Sequence, residues 1–118
     1  MARNHPFFER LGFTTLSEVS FDDCVLVDDG KLKCVFFWGL DCPNCEIAKN
    51  ALQNRAEEVR SLGLEWFDVN VYETPDLGTR FGLFGIPVFL LFRNGKKLGR
   101  ITPFPGFDDF RDAVQRLN

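Results

Sequence analysis

Cys42-Pro43-Asn44-Cys45 places two thiols three positions apart, and this is the pair in the sequence best suited to do chemistry. Such a pair can close a disulfide, supply half of a metal site, or lie buried as structure. It follows an apolar run and precedes a helical pattern, so it falls at a strand-to-helix junction. Free amide N–H groups and the positive end of the helix dipole favour an anion there. They draw the first thiol from about 8.5 toward or below about 7. Cys42 is therefore the expected nucleophile. Cys45, one turn deeper, can attack a mixed disulfide on Cys42 and release a reduced product, which makes the pair a two-electron switch. A zinc site would need a second pair, and Cys24 and Cys34 stand far apart, with the single histidine, His5, near the N-terminal end. Cys34 reads as a small buried hydrophobe and His5 as a surface residue. Asp41 has two readings: an N-cap for the helix, or a charge that opposes the dipole and raises the neighbouring thiol.

The elements that hold this junction follow from the apolar pattern. Leu32 to Trp38 is β-branched or aromatic with Lys33 alone polar, as expected of a strand covered on both faces. Cys45 to Leu62 carries apolar residues at helical spacing and stops at Gly63. Leu64 to Val71 alternates as a strand, and Thr74-Pro75 opens a short helix that Gly82 closes. Upstream, Ser20 is expected to cap a short helix bearing Phe21, Cys24 and Val25 on one face. Val88 to Phe92 and Leu98 to Ile101 flank Arg93-Asn94-Gly95-Lys96, a hairpin signal. Phe110, Ala113, Val114 and Leu117 mark a terminal amphipathic helix. The fold class is α/β, a central mixed sheet of four to five strands with helices on both faces.

The 118 residues suit one domain, and 14 phenylalanines make its core largely aromatic. A formal net charge of −3 leaves no basic footprint for nucleic acid. Neither a signal-peptide stretch nor a membrane span is evident, so a cytoplasmic location without membrane attachment is expected, or a periplasmic one if a leader has been removed.

Val35-Phe36-Phe37-Trp38-Gly39-Leu40-Asp41-Cys42-Pro43-Asn44-Cys45, then Gly85-Ile86-Pro87, then Phe92-Arg93-Asn94-Gly95, resemble the active-site strand, cis-proline loop and terminal hairpin of thioredoxins. Three motifs in order are far more specific than a lone dithiol. The match spans residues 20–118, leaving residues 1–19 as an N-terminal extension. The resemblance implies a thioredoxin fold, Cys42 and Cys45 as the redox pair, Pro87 after a cis peptide facing them, and Trp38 packed beneath the loop. Four departures stand out. Asp41 replaces a tryptophan and Pro43-Asn44 replaces Gly-Pro, with Pro43 closer to the glutaredoxin pattern. Phe36 replaces the buried aspartate, and Asn50 the helix-kinking proline. Asp68 aligns where many thioredoxins place a lysine, and it has two readings: a proton-handling group for Cys45, or a solvated aspartate. Thr102-Pro103-Phe104-Pro105-Gly106 falls where thioredoxins present a loop beside the active site. There Phe104 either joins Pro43, Ile86 and Pro87 in a substrate-binding rim or tucks into the core.

The function so implied is a thiol-disulfide oxidoreductase, reducing rather than forming or isomerising protein disulfides, acting as a monomer and needing no bound cofactor. Electrons would come from a separate reductase or glutathione. The alternative is a non-catalytic adaptor or redox-sensing module, with residues 1–19 available for docking.

Overall fold

The computed structural model describes residues 6–118; His5 lies outside them. Eleven elements are described: α1 (Pro6–Arg10), β1 (Thr14–Thr15), α2 (Ser20–Val25), β2 (Lys33–Trp38), α3 (Pro43–Asn54), α4 (Ala56–Arg60), β3 (Glu65–Asn70), α5 (Pro75–Arg80), β4 (Val88–Arg93), β5 (Lys96–Ile101) and α6 (Phe107–Gln115). The sheet has the order β1-β3-β2-β4-β5. The β1–β3 and β2–β3 pairs are parallel, the β2–β4 and β4–β5 pairs antiparallel. This is the mixed α/β architecture of the thioredoxin fold.

β2 is wholly buried because it is central, with β3 on one side and β4 on the other. Alternation then sorts its side chains. Cys34, Phe36 and Trp38 join Phe89, Cys45, Ala48, Leu52 and Phe110 on the face covered by α1, α3 and α6. Val35 and Phe37 join Phe21, Val69, Leu77 and Leu90 on the face covered by α2 and α5.

Several local expectations change. The helix read over Cys45 to Leu62 is two helices, divided at Arg55, whose φ of −119° and ψ of 36° leave helical geometry. Ser20 is the first helical residue of α2, and the Val19 position supplies no side-chain cap. The Ser17 and Ser20 hydroxyls instead accept each other's backbone N–H at 3.2 and 2.9 Å. β5 begins at Lys96, directly after the Asn94-Gly95 turn, both of whose residues have positive φ. Residues 6–16, read from sequence as part of an extension, contribute Phe7, Phe8, Leu11 and Leu16 to the two cores.

Candidate active site

Cys42 and Cys45 are joined as a disulfide, with their Cα atoms 5.2 Å apart. Cys42 occupies the N-cap of α3, and its Sγ accepts the Cys45 N–H at 3.1 Å. Pro43 follows at the first helical position, where its missing N–H leaves no bond unmade. The sulfur therefore serves as the cap, in place of the Asp41 carboxylate considered from sequence. Asp41 is exposed, with φ of +51°, a left-handed conformation that short polar residues adopt more readily than others. Its charge faces solvent, where screening weakens its hold on the thiol.

The two sulfurs are not equivalent. Cys42 is half-buried and its Sγ lies 3.9 Å from the Ile86 carbonyl oxygen, whereas Cys45 is fully buried. The Ile86–Pro87 peptide is cis, as is Thr102–Pro103, and the Thr102 hydroxyl donates to the Pro87 carbonyl at 2.9 Å. The two loops are thereby tied together beside Cys42. Pro87 is buried and Pro43 exposed. Phe104 is half-buried, its ring 6.0 Å from those of Phe89 and Phe110, so it leans toward the core beneath α6.

Beneath the disulfide lies a polar network inside an apolar face. Trp38 donates its indole N–H to Asp68 Oδ1 at 3.0 Å, and the Thr15 hydroxyl donates to Oδ2 at 3.0 Å. Asp68 is fully buried rather than solvated. Parallel register sets it beside Phe36, so the carboxylate stands one strand over from the position the resemblance assigns to an acid. Lys49 is buried too, 1% exposed, with its Nζ 4.5 Å from the Trp38 ring centroid and 2.9 Å from Glu46 Oε2. Away from the pair, burial holds the Cys34 thiol well above its ordinary value.

Sequence reading does not single out Thr15, Lys49, Gly39 or Tyr72. A signal exists for Lys49, which follows Cys45 by one helical turn and interrupts an apolar face. Gly39, directly after β2, is so closely packed that a Cβ would lie 2.5 Å from Tyr72 Cε2 and 2.8 Å from Ile86 Cδ1. An open cleft of about 290 Å³ next to these residues runs from Val71 and Tyr72 to Phe84 and Ile86. Phe84 is fully exposed at its mouth. Among the described residues, no helix is long and apolar enough to cross a membrane.

Comparison with known proteins agrees with this geometry. The Thioredoxin family model matches residues 12–115. A thioredoxin of Rhodospirillum rubrum is 30% identical over 81 residues, 69% of this chain and 76% of that protein. A thioredoxin of Mycobacterium bovis is 27% identical over 114 residues, 93% of this chain and 97% of its own length. A redox-capable cysteine pair capping a helix against a proline loop, on this sheet and under this family match, makes the chain a member of the thioredoxin family.

Proposed function

We propose that this thiol-disulfide oxidoreductase reduces disulfides in protein substrates through a mixed disulfide on Cys42, resolved by Cys45. The asymmetry of the pair carries the reading: Cys42 is half-buried at the helix N-cap, and Cys45 is buried behind it. In the reduced protein the Cys42 thiolate attacks one sulfur of the substrate, and the other leaves with the electron pair of the broken bond. The Cys45 thiolate then attacks the Cys42 sulfur, closing the Cys42–Cys45 disulfide and expelling the second substrate thiolate. Two protons pass from the dithiol to the substrate thiols. A separate reductase, or two glutathione molecules, returns the electrons.

The Ile86-Pro87 loop shapes the approach, whereas Trp38, expected from sequence at the substrate surface, is 2% exposed and supports the site from beneath. The Ile86 carbonyl beside Cys42 offers a backbone acceptor to an extended substrate segment, in the manner of strand addition. Pro43 contributes an exposed apolar edge and Phe104 the exposed part of its ring. Asp68, on the same sheet face as Cys45, is proposed to take the proton of the resolving thiol.

The test is insulin reduction together with substrate trapping. Cys42→Ser should abolish reduction, and Cys45→Ser should accumulate stable mixed disulfides with target proteins. Equal trapping by the two reciprocal variants would overturn the assignment. Absence of any reduction by the wild type would favour an adaptor.

A further inference from the structure

We infer that Lys49 is a positioning residue for the dithiol: its buried ammonium stabilises the thiolate form of the Cys42–Cys45 pair and so makes the couple more oxidising. This rests on the thiol-disulfide reading above, and it adds to that reading the group that sets the potential.

The argument begins with what Lys49 costs. Burying an ammonium is unfavourable unless it is paired, and a methionine or leucine would fill the same inner face of α3 at less expense. Yet Lys49 is 1% exposed among Phe8, Trp38 and Ala48. Its charge is held by two aromatic faces, Trp38 at 4.5 Å and Phe8 at 5.1 Å, and by the Glu46 carboxylate at 2.9 Å. Glu46 is half-exposed, so the counter-ion is hydrated while the cation is not.

Direction matters as much as burial. Helical side chains lean toward the N-terminus of their helix, and pairing with Glu46, three residues back, shows that Lys49 does so. The ammonium therefore lies level with the first turn of α3, on the inner face that also carries Cys45, one turn before it. It adds to the helix dipole at the same end. Among the described residues, the other charged groups facing this region are Glu46 on α3 and Asp68 on β3, while Asp41, in the loop before Cys42, is exposed to solvent. α1 presents Phe7 and Phe8 inward while Glu9 and Arg10 are exposed, and β4 presents Phe89. Among the described residues, Lys49 is thus the buried cation on the sheet face that carries Cys45, one of a pair that must become anionic to react.

The reaction that reads this out is exchange with glutathione: dithiol plus glutathione disulfide gives the Cys42–Cys45 disulfide plus two glutathione thiols. Lys49→Met destabilises the reduced thiolate form. At pH 8 the equilibrium constant for oxidation should rise about tenfold, which is about 30 mV more reducing. At about pH 5, well below ordinary thiol titration, both thiols keep their protons and the difference should shrink to within about twofold. The ultraviolet absorbance of the thiolate should titrate at higher pH in Lys49→Met, and Lys49→Arg should restore both readouts.

A folded Lys49→Met with the wild-type equilibrium constant at pH 8 overturns the inference. Should that variant not fold, the exposed Glu46→Gln decides. Freed of its counter-ion, the ammonium should lower the constant about threefold, and an unchanged constant overturns the inference. A wild-type couple that fails to exchange with glutathione or to reduce insulin would instead defeat the functional reading itself.

Discussion

At Asp68 a neutral donor reaches each oxygen of one buried carboxylate. The Trp38 indole N–H meets one oxygen and the Thr15 hydroxyl the other, which fixes the carboxylate on the sheet face that carries Cys45. A base in that position is useful only while Cys45 is giving up its proton. Asp68→Asn should slow resolution of the mixed disulfide about tenfold near neutral pH and leave Cys42 thiolate formation almost unchanged. Stopped-flow resolution rates equal to wild type from about pH 6 to 9 would remove Asp68 from the mechanism. Thr15→Val should have a smaller effect in the same assay, since it removes one donor and leaves the Trp38 bond. Asp68 was legible in the sequence because it breaks the apolar face formed by Leu64 and Trp66. Thr15 was not: it reaches Asp68 from a two-residue strand, too short to show any period, across 53 positions of sequence.

At the scale of elements, strong periodicity and turn chemistry made β2, β3, the β4–β5 hairpin and α6 readable, and with them the place of the Cys42–Cys45 pair. The helix ends were less so, because caps are decided by geometry that spacing does not carry. Asp41 has the right residue type for an N-cap, yet the Cys42 sulfur takes that place because Asp41 turns left-handed. The far end of β2 shows the same limit, for Lys33 interrupts an apolar run and is nonetheless 1% exposed. Its ammonium pairs with Asp29 at 2.7 Å and Glu65 at 2.9 Å, closing the loop before β2 onto β3. Burial alone would lower the Lys33 value, but the bonds to Asp29 and Glu65 outweigh it and raise it above 10.5. The bond from Lys33 and the Lys31 N–H lower Asp29 below 3.8. The signs give a plateau. The Asp29 contribution is present above its ordinary value and lost as pH falls through the lowered one. The Lys33 contribution is present below 10.5 and lost as pH rises through the raised one. Thermal unfolding across pH should show both arms. Replacing Asp29 and Glu65 together by their amides should lower Tm more than Lys33→Met does, because the first strands a buried cation and the second removes it. The reverse order would mean that the two carboxylates do not offset the burial of the Lys33 ammonium.

For the whole molecule, the question is how far the folded unit extends toward the N-terminus. The motifs that mark the fold in sequence begin after residue 20, and a five-residue helix before them carries no period long enough to read. In the structure Phe7 and Phe8 are buried against the strand that leads into the dithiol. The Phe7 ring lies 5.7 Å from Phe36, and Phe8 lies 5.2 Å from Trp38 and 5.1 Å from the Lys49 ammonium. α1 thus completes the aromatic layer under the active site instead of hanging beside it. Phe8→Ala should cost about 3–5 kcal/mol, the usual range for a buried aromatic whose space cannot close. For a domain of this size that is a Tm lower by about 10–20 °C. Because the ring also covers Trp38 and half encloses the Lys49 charge, the cavity should shift Trp38 fluorescence toward that of a hydrated indole. It should also move the glutathione equilibrium in the direction expected for a better-solvated, weaker cation. Deleting residues 1–11 should do both more severely. A deletion variant with wild-type Tm and Trp38 emission would show that the sheet and its dithiol stand without α1, and that the first eleven residues are an appendage after all.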